Sequence, residues 1–174
     1  WQWRERVQIE AGAQAKVQWP LSYTVTLSGA QRTDGTGAPA PLSLDTSFTA
    51  SRVGAYVQGT GTLSSAVRAS IGLRADGYRY GAFAARVAPR GSLTWAIDTR
   101  SSVTLAGGRY WQAPPAIWLV GDPGNRRTLT PFRADQVVLG WQRLLRDDFK
   151  VQVESYAKVY GDFPARVFRP QAAL

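Results

Sequence analysis

The stretch that decides the fold is Val7-Gln8-Ile9-Glu10-Ala11-Gly12-Ala13-Gln14-Ala15-Lys16-Val17-Gln18. Its odd positions are all apolar, and its even positions are polar apart from one glycine. This alternation is typical of a pleated strand, because successive side chains of a strand point to opposite faces. The sequence therefore predicts a strand with one apolar face and one polar face.

The same two-residue period recurs along the chain and predicts about eight strands in all. The further segments that carry it are 21–28, 52–58, 67–76, 92–97, 103–106, 136–142 and 149–160. Most of these segments approach the roughly ten residues that a tilted membrane-spanning strand requires. We expect an all-β, antiparallel fold.

The connections between these strands alternate in length. Short turns are predicted at 19–20, 62–65, 98–101 and 146–148, and longer connections rich in Gly and Pro at 29–45 and 112–134. A shorter connection at 80–83 belongs to the long-loop side. Long extracellular loops at one end and short periplasmic turns at the other are typical of a transmembrane β-barrel wall.

Aromatic residues at the strand ends favour a membrane over a soluble sandwich, since rings collect where lipid headgroups meet water. Toward the long loops lie Tyr78, Tyr80, Tyr110, Trp111, Tyr160 and Phe163. Toward the short turns we expect Trp19, Tyr23, Trp95, Trp141 and Phe149. Alternation alone also permits a soluble barrel or sandwich whose apolar face points inward.

Composition narrows the function. The chain has no Cys and no His, which removes thiol chemistry, a catalytic triad and the commonest metal ligands, so no catalytic site, metal or cofactor is expected. The net charge of +9 comes from dispersed arginines without a basic helix, which argues against a nucleic-acid partner. Outer-membrane lipid and lipopolysaccharide explain the basic excess equally well.

Several short motifs then resemble the barrel of TonB-dependent outer-membrane receptors. They are Gly54-Ala55-Tyr56-Val57-Gln58 with Ile71-Gly72-Leu73-Arg74-Ala75-Asp76, Ala88-Pro89-Arg90-Gly91-Ser92-Leu93-Thr94-Trp95, Gly108-Arg109-Tyr110-Trp111-Gln112-Ala113-Pro114, Leu129-Thr130-Pro131-Phe132-Arg133-Ala134 and Val153-Glu154-Ser155-Tyr156-Ala157-Lys158-Val159-Tyr160. The resemblance covers about residues 53–164, and its motifs are weak singly but strong in this order.

The resemblance implies a barrel of about 22 strands, plugged by an N-terminal domain, in the bacterial outer membrane. Such a receptor imports a scarce large solute, such as a ferric siderophore, with energy relayed through TonB. Residues 1–174 would be a partial barrel domain, without the plug, the TonB-contacting segment or the terminal strand. We expect its partners to be the plug, the remaining strands, TonB, the imported solute and lipid.

Candidate lumen or substrate-facing residues follow from the alternation and from position near the outer end. They are Arg68, Arg74, Asp76, Arg109, Arg126, Arg127, Glu154 and Lys158, with Lys150 on the same face. A solvated charge ladder is the plainer interpretation of the strand residues among them. Asp45, Asp98, Asp122, Asp147 and Asp148 are interpreted as turn caps, and residues 116–120 as a packed loop anchor.

Two other classes stay open from the residues. One is a small closed outer-membrane barrel of about eight strands, structural or adhesive, and the other is a soluble ligand-binding barrel. In isolation the predicted sheet would have open edges and a bare apolar surface, so we expect it to aggregate without detergent.

Overall fold

The computed structural model describes residues 2–3, 7–28, 33, 36–80, 83–121 and 124–165. Eight strands form one antiparallel sheet in chain order, each hydrogen-bonded to its sequence neighbours. The sheet is not closed, since the first and last strands do not pair with each other within the described residues. The predicted all-β antiparallel fold is confirmed.

The strands are 12 to 23 residues long, except the first, which has two. They are β1 (Gln2–Trp3), β2 (Val7–Leu27), β3 (Leu42–Ser64), β4 (Val67–Arg79), β5 (Phe83–Ala96), β6 (Ser101–Gln112), β7 (Phe132–Arg146) and β8 (Phe149–Gly161). Two short helices, α1 (Ala116–Gly121) and α2 (Asn125–Thr128), lie in the connection from β6 to β7. No helix in the described part of the chain is long and apolar enough to cross a membrane.

The connections between the strands fall as predicted at both ends of the sheet, apart from the turn expected at 19–20. The longer ones, at 28–41, 80–82 and 113–131, share one end, and the turns at 65–66, 97–100 and 147–148 share the other. In the turn after β5, the backbone N–H of Arg100 donates to the Asp98 carboxylate at 2.7 Å and lowers the pKa of that carboxyl. Asp147 and Asp148 also lie in a turn, whereas Asp122 falls outside the described residues.

Two of the expected turn positions lie in strands. The predicted turn at Trp19 and the following proline is absent, because β2 runs unbroken from Val7 to Leu27 with a bulge between Gln18 and Leu21. The two segments interpreted as separate strands are therefore one. Asp45, expected to cap a turn, lies in β3 opposite Thr24, whose hydroxyl donates to its carboxylate at 3.4 Å.

The sheet has one apolar and one polar face. On the apolar face, Val57, Ile71, Leu105, Leu139 and Val153 are 49%, 76%, 50%, 53% and 58% exposed. A soluble sandwich would bury these side chains in a core. A sheet that leaves them bare instead fits a hydrocarbon environment.

The bulge in β2 exchanges the two faces along that strand. One extra residue rotates every later side chain to the opposite face. Beyond it, Tyr23 lies opposite Thr46 on the side of the polar face and is half-buried, whereas Ser22 and Ser47 are exposed on the other side. The end of the β2–β3 hairpin therefore presents hydroxyl groups where the rest of that face presents hydrocarbon, as expected of a segment that rises beyond the membrane into water.

The aromatic residues form the expected belt at the short-turn end only in part. Trp95 and Trp141 lie at the same level of the apolar face, since both are cross-strand partners of Val103. Trp19 and Tyr23, expected at this end, lie instead in the upper part of β2 because the predicted turn at 19–20 does not exist. The buried residues are few, as in a single-layer sheet, and cluster on the polar face beneath the long loops.

Candidate functional site

A buried ion cluster lies on the polar face of β3 and β4. Asp76, 5% exposed, accepts hydrogen bonds from Arg52 at 3.0 and 3.2 Å and from Arg74 at 2.7 Å through each of two nitrogens. Gly54 pairs with Asp76, and a Cβ on that glycine would approach the carboxylate to 2.5 Å. The glycine therefore makes room for the two guanidinium groups on one carboxylate.

A second polar contact extends this surface toward β2. The Tyr56 hydroxyl donates to the Glu10 carboxylate at 2.6 Å, and Gly12 lies under the tyrosine ring, where a Cβ would come within 2.6 Å. Gly12 and Gly54 thus leave space for large polar side chains of the neighbouring strand.

The polar face carries an excess of positive charge. Among the described strand residues joined by regular pairing, its basic side chains are Lys16, Arg52, Arg68, Arg74, Arg86, Arg90, Lys150 and Lys158. Its acidic side chains over the same ladders are Glu10, Asp76 and Glu154. Such a surface attracts anionic groups, whether of a solute or of protein packed against it.

The loop between β6 and β7 folds over the polar face and covers the upper end of the Asp76 ion cluster. Leu119 of α1 is 3% exposed and packs with Tyr78 and Tyr80, against which Phe48 also lies. The Tyr80 hydroxyl donates to the Leu129 carbonyl at 3.2 Å, and burial raises the pKa of that hydroxyl, which stays protonated. The interpretation of 116–120 as a packed loop anchor is confirmed by this burial of Leu119.

Arg126 fastens the loop to β3. Its Nη2 donates to the Thr46 hydroxyl at 2.9 Å, its Nε donates to the Leu119 carbonyl at 3.0 Å, and its guanidinium lies 4.5 Å from the centre of the Phe48 ring. Arg127, the next residue, is exposed. Of these two predicted site arginines, Arg126 holds the loop and Arg127 is exposed to solvent.

The remaining predicted residues are dispersed. Arg68 lies near the short turns, whereas Lys158 lies toward the long loops with its ammonium 5.1 Å from the Tyr156 ring. Glu154 accepts from Gln152 at 2.6 Å on β8, and Lys150 is on the same face. The structure therefore brings only Arg74 and Asp76 together.

Arg109 lies on the face opposite to the one expected. Arg109 on β6 is the cross-strand partner of Asp135 on β7, and both lie on the same face as Leu105 and Val137. Its guanidinium donates to the Asp135 carboxylate at 2.7 and 3.0 Å. The sequence around Gly107 and Gly108 gave no apolar alternation from which its face could be read. The pairing register places it on the apolar face.

Sequence reasoning also missed three arginines of the polar face as site candidates. Arg52 completes the Asp76 cluster, and Arg86 and Arg90 lie on β5 in the same alternating set. The alternation of Arg86, Ala88 and Arg90 with apolar neighbours could have revealed the last two. The alternation in 52–58 already placed Arg52 on the polar face, but its contact with Asp76 required the register between β3 and β4.

Loss of the Arg126 side chain will loosen the loop. We expect Arg126→Ala to raise the rate of chymotrypsin cleavage within residues 113–131 at least about tenfold, because two charge-assisted hydrogen bonds of about 1.5–3 kcal/mol each are lost, a factor of ten is about 1.4 kcal/mol, and cleavage follows the open population. Arg127→Ala is the matched control and will leave the rate within about twofold. Equal rates in both variants would show that Arg126 does not hold the loop.

An open antiparallel sheet with a bare apolar face, a charged face and long loops at one end defines the wall of a transmembrane β-barrel. A family model described as "TonB dependent receptor-like, beta-barrel" matches residues 2–173, and the chain belongs to this family. The family comprises outer-membrane receptors and transporters rather than enzymes, and it works with TonB and a plug domain. No curated protein matched the chain.

Proposed function

We propose that this chain forms part of the wall of an outer-membrane receptor that imports a scarce large solute, such as a ferric siderophore, with energy supplied through TonB. The observation that carries the proposal is the family match over residues 2–173 together with the separation of the two faces. Residues 1–174 act as a partial barrel domain in a Gram-negative outer membrane. The remaining strands complete the barrel at the edges of β1 and β8, and the plug lies inside it.

The polar face lines the lumen in this proposal, and its basic excess favours an anionic solute. Arg68, Lys158 and the exposed Arg127 are the candidates for transient contact. Asp76 and Arg74 are tied into their ion cluster, so their role is to shape the wall and hold its charge. The small closed barrel is less well supported, because β1 and β8 do not pair in the described residues.

Uptake by intact cells tests the proposal. Cells that carry the complete receptor, cells without its gene and cells without TonB are supplied with iron-55 as a ferric siderophore under iron limitation. We expect uptake only in the first, and the same dependence for another large solute would identify a different substrate for the same function. Uptake that does not require TonB would contradict energised import.

A lumen charge variant tests the anionic preference. We expect Lys158→Gln to raise the KM for an anionic solute up to about fivefold without changing the amount of receptor in the membrane, as for loss of one exposed charge contact of up to ~1 kcal/mol. Arg143→Gln, on the apolar face near the short turns, is the matched control. A KM that is unchanged in Lys158→Gln removes this residue from the solute path.

A further inference from the structure

An ion pair lies on the apolar face close to the middle of its height. Arg109 of β6 donates to Asp135 of β7 at 2.7 and 3.0 Å, and the two side chains are 39% and 36% exposed. Asp135 is six residues along β7 from Trp141, which lies near the short turns. At about 3.3 Å per residue and a tilt of about 40°, the pair stands about 15 Å above that tryptophan, in an apolar band about 25 Å tall.

Lipid hydrocarbon is a poor environment for this ion pair. Charged side chains at mid-membrane depth almost always face protein or a water-filled cavity and pair with one another. The salt bridge cancels the net charge of Arg109 and Asp135, yet more than a third of each side chain stays exposed on this face. Arg133, 3.5 Å from the same carboxylate, is two residues nearer the long loops, so its stem reaches toward the headgroups. The ion pair below it requires a polar partner within the membrane.

A groove lies directly beside the ion pair. Gly91 of β5 and Gly107 of β6 pair across their strands, between Ile71 on one side and Val137 on the other, and the missing side chains leave a depression of about 620 Å³. Lipid is as apolar as a leucine side chain, so protein segments associate in a membrane through close packing at small residues and through polar contacts. The groove supplies the first and the ion pair the second, at one place on the wall.

The patch is complementary to a second copy of itself. Two copies in one membrane have the same orientation, so a two-fold axis between them lies along the membrane normal and brings equal heights together. With the axis between β6 and β7, Arg109 of each copy faces the partner's Asp135. Gly107 and Val137 are paired just below on the same two strands. The partner's Val137 therefore meets the groove over Gly107, and the reverse contact forms at the same time.

We propose that this face of β6 and β7 is the contact between two copies of the receptor within the membrane. At the axis the two arginines and two aspartates alternate, so each carboxylate accepts hydrogen bonds from its own Arg109 and from the partner's. Charge complementarity selects a second copy, because the patch presents one charge of each sign at one height and a partner with a single charge would leave the other unmatched. The inference rests on the proposed function only in requiring that the apolar face meets the membrane.

Association of the complete receptor in lipid vesicles tests the contact. Energy transfer between donor-labelled and acceptor-labelled copies is followed as lipid is added, since dilution separates the copies and returns this face to lipid. We expect the combined change Arg109→Gln and Asp135→Asn to raise the dissociation constant about tenfold, or about 1.4 kcal/mol, as for polar contacts between membrane segments. It removes both charges together, so each copy still inserts. Arg143→Gln, on the same face near the short turns, will leave the constant unchanged.

Cross-linking in isolated outer membranes locates the axis. Residues 1–174 contain no cysteine, so single cysteines are introduced in a receptor otherwise free of them. Val137→Cys lies beside the axis, whereas Val57→Cys, on the same face and similarly exposed, lies four strands away on β3. At about 4.8 Å per strand Val57 is about 17 Å from the axis, so a short bismaleimide will join copies of Val137→Cys at least about tenfold more than copies of Val57→Cys.

The outcomes separate this inference from the proposed function. Insertion of the unaltered receptor into vesicles is measured first, by β-type circular dichroism in the vesicle fraction. A receptor that inserts but stays monomeric, or that associates equally with and without the ion pair, would overturn the two-copy contact alone. Cross-linking of Val137→Cys to a protein of different mass would overturn the second copy as the occupant. Failure to insert would overturn the membrane-facing assignment itself.

Discussion

Val137→Arg will destabilise the protein in lipid vesicles by about 2–4 kcal/mol, whereas Val138→Arg will cost less than about 1 kcal/mol. Val137 is on the apolar face, 53% exposed, and four residues from Trp141, which places it close to the middle of the apolar band. An arginine there must enter hydrocarbon or deform the bilayer around it. At position 138 the arginine faces the polar side, between Ala106 and Tyr156.

The pair is matched in residue type, strand and depth, so only the face differs. Urea unfolding of the complete receptor reconstituted in vesicles gives the two free energies. A soluble barrel would reverse the order, because its polar face would meet water and an arginine on its apolar face would enter the core. Equal costs at the two positions would show that neither face contacts lipid in this part of the sheet.

Asp76→Asn will cost about 2–3 kcal/mol of stability. The substitution leaves Arg52 and Arg74 without their shared carboxylate, and breaking a buried ion pair typically costs about 3–5 kcal/mol. The value expected here is lower, since the Arg52 and Arg74 side chains are 39% and 23% exposed and water recovers part of the loss. The asparagine keeps the shape of the site, so the loss reports the charge.

Asp147→Asn is the control for this prediction. Asp147 also faces an arginine, Arg100 at 3.4 Å, but its side chain is 94% exposed in a turn, and the expected change is below about 0.5 kcal/mol. The same urea measurement serves for both variants. A loss in Asp76→Asn no larger than in Asp147→Asn would mean that the two arginines are adequately solvated without the carboxylate.

Much of the wall was predictable because a strand in this fold has two chemically distinct environments. The alternation in 7–18 and 67–76 identifies strands and the composition of their faces without any neighbour, and the lengths of the connections identify the two ends of the sheet. Arg68, Arg74, Asp76, Glu154 and Lys158 were placed on the polar face by the same rule. These features depend only on residues adjacent in sequence.

The bulge in β2 was not predictable from β2 alone. The apolar residues keep odd numbers from Val7 through Val17 and again from Leu21 through Leu27, so the pattern is the same whether or not the strand slips by one residue. Only the partner strand fixes the register, and there the apolar positions change from even, as at Phe48, to odd, as at Val53. At Trp19 the sequence analysis predicted that the chain turns back, whereas the chain continues in the same direction and its side chains change face.

The sequence by itself determined a two-faced antiparallel wall with long loops at one end, and the tertiary structure decided which charges meet. The register brings Arg109 of β6 to Asp135 of β7 on the apolar face, and it brings Arg52 of β3 to Asp76 of β4 on the polar face. Arg126 reaches Thr46 across 80 residues of chain. Side-chain direction follows from local period, but contact between strands depends on the hydrogen-bonding register, which no single strand encodes.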